Sequence, residues 1–121
     1  MTTPSDRNRL RTLAAEFAEI VNSDDMNARR ELWRRSNRLL ERTVPFHIED
    51  NGSFFADLTP PLECEGEFER GCEAHFLRVI TNYRLIPDDR VFPRTFPVAW
   101  TVSRTSICPE LTVHATGKVR G

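Results

Sequence analysis

Apolar residues recur at three- and four-residue steps early in the chain. Leu10, Leu13, Ala14, Phe17, Ile20 and Val21 fall on one face of a helix. Ser5 or Asp6 is placed to cap its start by accepting from unpaired amides. Asn22-Ser23-Asp24-Asp25 then stops it and supplies the next cap. A second helix is predicted over residues 26–41 from Ala28, Leu32, Trp33, Leu39 and Leu40, with Ser36 completing the spacing. The short connection between the two stripes predicts an antiparallel helical hairpin over residues 1–43.

Beyond residue 43 the period changes. Val44-Pro45-Phe46-His47-Ile48-Glu49 alternates and predicts a strand, with Pro45 tolerated at its start or on an edge. Asp50-Asn51-Gly52-Ser53 reads as a turn. Phe54, Phe55 and Leu58 follow, broken by Pro60-Pro61. A long helix is predicted over residues 65–84, with Phe68, Cys72, Phe76, Val79, Ile80 and Tyr83 on one face. Short extended pieces come last, at 91–92, 96–102 and 111–114. Pro93, Pro97 and Pro109 make them edge strands or bent connections. The expected class is therefore α+β: a helical hairpin, a strand, a long helix and short strands, with residues 44–121 forming an incomplete second region.

A chain of 121 residues suits one domain. Its 17 Lys+Arg against 18 Asp+Glu leave a net charge of −1, without the basic excess of a nucleic-acid binder. The amino terminus is polar, with no secretory h-region, and no apolar run is long enough for a bilayer span. Cys64, Cys72 and Cys108 are an odd number and read as reduced thiols, which points to the cytoplasm.

Few residues suggest chemistry. Cys72 and His75 are three apart on a helix, the spacing of a ligand pair. Cys64, His47, Cys108 and His114 are scattered, however, so no metal site is assigned. The carboxylates Glu63, Glu65, Glu67, Glu69 and Glu73 read as a solvated helix end favoured by the helix dipole rather than an acid–base pair. Arg29, Arg30, Arg34, Arg35 and Arg38 form the densest basic cluster. Glu31 and Glu41 interrupt it, which favours solvation or contact with acidic groups over nucleic acid. Ala115-Thr116-Gly117-Lys118 lacks the upstream glycine and following hydroxyl of a phosphate loop. No Ser or Cys has a nucleophile elbow around it. Trp33, Phe46, Phe54, Phe55, Phe76, Phe92, Phe96 and Trp100 read as core and interface, and any left exposed favour association.

Several stretches, taken in order, resemble the amino-terminal region of the uroporphyrinogen-decarboxylase-like superfamily, including its corrinoid-dependent methyltransferases. They are Glu31-Leu32-Trp33-Arg34-Arg35-Ser36-Asn37-Arg38-Leu39-Leu40 with Glu41-Arg42-Thr43-Val44-Pro45-Phe46, then Leu62-Glu63-Cys64-Glu65-Gly66-Glu67-Phe68-Glu69. Phe76, Leu77 and Tyr83, Ile86-Pro87-Asp88-Asp89-Arg90-Val91-Phe92 and Phe96-Pro97-Val98 continue the likeness, which covers roughly residues 28–102. The resemblance implies the leading part of a (β/α)8 TIM barrel, a fold of about 250 residues. It implies a parent enzyme acting as a tetrapyrrole decarboxylase or a corrinoid-dependent methyltransferase. Zinc and corrinoid would belong to the methyltransferase branch, and no catalytic or cofactor-binding residue is assigned within this chain. Its partner would then be the remainder of the barrel. The alternative is a standalone protein-interaction module binding a protein partner or a second copy of itself, with neither nucleic acid nor membrane involved.

Overall fold

A computed structural model describes residues 1–40, 42–49 and 53–98. Its helices are α1 (Pro4–Val21), α2 (Asp24–Asn37), α3 (Ser53–Leu58) and α4 (Glu67–Leu85). Thr3 caps α1, its hydroxyl accepting from the Asp6 amide at 3.1 Å. Pro4 follows at the first helical position, where a missing N–H costs nothing. The cap therefore lies earlier than Ser5 or Asp6. Ser23 caps α2 in the same way, accepting from the Met26 amide at 3.1 Å.

The core is built by α1 and α4. Leu13, Phe17, Ile20 and Val21 meet Leu77, Val79 and Ile80, and Met26 and Phe92 close the cluster. Met26, in the first turn of α2, is fully buried. It is the buried residue of that helix, since the rest of its stripe is thin and interrupted by Ser36. The predicted hairpin of the first two helices is thus corrected: α1 takes α4 as its packing mate. Apolar area decides the choice, because α4 offers a continuous buried face and α2 does not.

The predicted α+β class is corrected as well, and with it the barrel start that the resemblance implied. Among the described residues there are helices and no strand. Residues 44–49 form no helix and pair with no strand; carboxylates take the amides of alternate residues, Phe46 and Ile48, as an extended backbone allows. Phe46 N–H donates to Asp89 Oδ2 at 3.1 Å and Ile48 N–H to Asp88 Oδ2 at 2.9 Å. Residues 53–58, for which the pattern predicts no element, form α3. In 91–98, Pro93 and Pro97 remove amides that a ladder would need. The expectations at 99–102 and 111–114, like Trp100, Cys108, His114 and the Gly117-Lys118 pair, lie outside the described residues.

The return segment 86–92 crosses the end of the α1–α4 pair and is tied down from α2. Arg30 donates to Val21 O at 2.7 Å and Phe92 O at 3.1 Å. Arg29 donates to Arg90 O at 3.2 Å, and Trp33 Nε1 to Asp89 O at 2.7 Å. Among the described residues no helix is long and apolar enough to cross a membrane.

Candidate functional site

The first of two candidate regions is polar and buried. Asp6 and Glu73 lie on the apolar stripes of α1 and α4 and face the segment between α3 and α4. Glu73 is fully buried. Its Oε2 accepts from the amides of Glu63 and Cys64, both at 2.9 Å, and its Oε1 accepts from Arg9 Nε at 3.0 Å. Arg9 also pairs with Glu63 at 3.1 Å. Asp6 receives the amides of Glu65 at 3.2 Å and Gly66 at 3.3 Å. Burial alone would raise the Glu73 carboxyl. The bonds from Cys64, Glu63 and Arg9 outweigh it and hold the group below the ordinary carboxylate range.

The same carboxylate faces the Cys64 thiol. Burial first, and then the Glu73 charge, push that thiol up to about 11. A thiol so protonated is a poor nucleophile at neutral pH. Glu69 is buried too, and its carboxylate accepts from the Thr2 hydroxyl. The acidic run therefore divides. Glu65 and Glu67 are exposed, Glu63 pairs with Arg9, and Glu69 and Glu73 are internal anchors, where a solvated helix end was expected. Sequence reasoning missed Asp6 and Glu73, although a signal existed. Asp6, Leu10, Leu13, Phe17 and Ile20 are spaced by four, three, four and three, as are Glu69, Glu73, Phe76, Ile80 and Tyr83. An acid on an apolar stripe must be buried with donors to satisfy it.

Two members of the arginine cluster, Arg29 and Arg30, are likewise spent internally. Arg29 and Arg30 hold backbone carbonyls, and Arg29 also pairs with Asp25 at 2.9 Å and lies over the Tyr83 ring. Arg34 pairs with Glu31 on the surface at 2.5 Å.

The second region is a groove between α1 and α4 with a volume of about 370 Å³. Leu10 and Ala14 form one wall, Phe68 and Phe76 the other, and Phe96 and Val98 close one side. Arg7 and Arg11, four residues apart on α1, stand at its rim, exposed and without an ion-pair partner among the described residues. Phe68 is 69% exposed and Val98 72%. An adjoining hollow of about 570 Å³ shares Phe68, Cys72 and Phe96 and adds Glu67, His75 and Pro97.

Cys72 and His75 thus come to the same groove. His75 stands edge-on to Phe96, with ring centroids 4.9 Å apart, and to Phe76 at 5.9 Å. Its Nε2 is buried with no hydrogen-bond partner among the described residues. Burial, and then Arg78, lower its pKa, so the ring is neutral at pH 7. Burial, then Glu69, raises the Cys72 thiol. Among the described residues no group of three or more His, Cys, Asp or Glu is placed to hold a metal ion. Cys64 lies in the loop before α4 and His47 on the extended segment beside Trp33.

Comparison of the chain with protein-family models, with curated proteins and with solved structures finds no match.

Proposed function

We propose that this chain is a protein-interaction module with no catalytic chemistry of its own. Its α1–α4 groove receives an amphipathic helical segment of a partner protein. Apolar anchors on that segment fill the space between Leu10 and Phe68, and acidic residues one turn apart meet Arg7 and Arg11. The observation that carries this reading is the combination of an open apolar groove with two cations on one rim that have no ion-pair partner among the described residues. The buried carboxylates, by contrast, are consumed in holding the loop before α4. The competing proposal, a tetrapyrrole decarboxylase or corrinoid-dependent methyltransferase parent, is favoured by no observation among the described residues.

The test uses a synthetic helical peptide with leucines at i, i+3 and i+7 and glutamates four apart beside them. Amide chemical-shift mapping should place it against Leu10, Phe68 and Phe76. Phe68→Asp should weaken binding by about tenfold or more, because an exposed anchor residue is lost without touching the core. Arg7→Glu with Arg11→Glu should weaken it further and remove its salt dependence. Binding indifferent to Phe68→Asp, or no binding at millimolar peptide, would refute the proposal.

A further inference from the structure

Segment 44–49 bonds to 88–90 at alternate residues, as an extended backbone does, and among the described residues it uses only one of its two edges. Phe46 gives its N–H to Asp89 Oδ2 at 3.1 Å and its carbonyl accepts from the Asp89 amide at 2.8 Å. Ile48 gives its N–H to Asp88 Oδ2 at 2.9 Å, and its carbonyl accepts from Arg90 Nη2. In an extended chain the main-chain groups of neighbouring residues point to opposite edges. Those of His47 and Glu49 therefore face away from 88–90, and no described residue bonds them. Natural proteins guard such edges with proline, bulges or inward charges. Here Pro45 guards one end only. The side chains at even positions stand in solvent: Val44 is 79% exposed, Phe46 55% and Ile48 41%.

We infer that this free edge pairs with the same edge of a second copy of the chain, antiparallel, about a twofold axis at Ile48. Three observations select a second copy in that register. His47 and Glu49 have amides and carbonyls that no described residue bonds, and in this register each faces the other residue on the second copy. The open amides and carbonyls of His47 and Glu49 on the two segments are then satisfied. The side chains at these positions are complementary, as their contact within one chain shows (His47 Nε2 to Glu49 Oε1, 2.8 Å), so the pairing sets unlike groups opposite each other. A register centred on His47 instead would set histidine against histidine and present Pro45, which has no N–H to give. On the outward face Ile48 meets Ile48 of the second copy, at a position where side chains approach most closely, and Phe46 lies diagonal to it. The surface is distinct from the α1–α4 groove and does not depend on what that groove binds.

Sedimentation equilibrium of the full chain from micromolar to millimolar concentration tests this. A monomer–dimer equilibrium is expected. Ile48→Lys and Ile48→Glu each place like charges across the axis and should weaken dimerisation by about tenfold or more. Because Ile48 is exposed, neither variant should alter the circular dichroism of the monomer. Mixed in equal amounts, the two variants should recover dimer, which a merely damaged surface would not do. His47→Pro removes an edge donor and should leave monomer. A chain that stays monomeric at millimolar concentration overturns the inference. So does a dimer indifferent to Ile48→Lys, or a mixture that remains monomeric. A dimer lost on Phe68→Asp but kept with Ile48→Lys assigns the contact to the groove and equally overturns it.

Discussion

Leu39 holds the left-handed backbone conformation, φ 57°, that closes α2. Its amide donates to Ser36 O at 2.9 Å and the Leu40 amide to Arg35 O at 2.9 Å, the bond pair of a left-handed C-terminal cap. Glycine is the residue suited to that position, because a Cβ there costs roughly 1–2 kcal/mol. The leucine side chain is 91% exposed and packs against little. Leu39→Gly should therefore stabilise the fold by about 1 kcal/mol, the remainder being offset by glycine's freedom in the unfolded chain. A urea midpoint that rises at unchanged slope is the expected reading, and a fall would mean that the leucine makes a contact worth more than the strain. This cap also explains why α2 stops before the predicted residue 41. The apolar pair Leu39-Leu40 looked like one more helical turn, yet both side chains lie outside the core. Pattern alone does not reveal that a helix has run out of surface to pack against.

At the scale of elements, what was legible was whatever depended on one segment alone. The stripes of α1 and α4 are long and clean, so both helices were readable, as was the Asn22–Asp25 break that Ser23 converts into a cap. Which helix packs on which was not readable, because it turns on comparing buried area between segments far apart in sequence. The extended segment at 44–49 shows the same limit from the other side. Its alternation predicted a strand, but what meets its amides is decided by Asp88 and Asp89, some forty residues on, whose carboxylates take those of Phe46 and Ile48. The arginines of α2 matter in this light. Arg30 ties the end of α1 to the 86–92 segment by two carbonyls, and charge-assisted bonds of this kind contribute about 1.5–3 kcal/mol. Arg30→Ala should destabilise the chain by roughly 2–3 kcal/mol. Arg34→Ala removes only a surface pair with Glu31 and should leave the urea midpoint unmoved. Equal effects would mean that the arginine face acts through its charge and not through these carbonyls.

The whole molecule couples its two regions through α4, which carries Glu69 and Glu73 toward the buried loop and His75 toward the aromatic groove. Acid should act on these in two stages. His75 is held neutral by burial, with Arg78 adding to the effect, so its folded pKa lies below the ordinary histidine value of about 6.5. The unfolded chain binds that proton first, and stability falls as pH drops below about 6.5 until the folded pKa is passed. Glu73 is held low against its own burial by the Cys64 and Glu63 amides and Arg9, and Glu69 is held low first by the Thr2 hydroxyl. Their contribution is complete above about 4.3, the unfolded value, and is lost as pH falls through their lower folded values. Urea midpoints measured from pH 8 to pH 3 should therefore show a first decline beginning near 6.5 and a second below about 4.3. His75→Phe keeps the ring contacts with Phe76 and Phe96 and removes the titration, so it should abolish the upper decline and leave the lower one intact. A flat profile between pH 7.5 and 5 in the unsubstituted chain would mean that the imidazole charges freely in the folded state, and the aromatic groove would then be open to water at its centre.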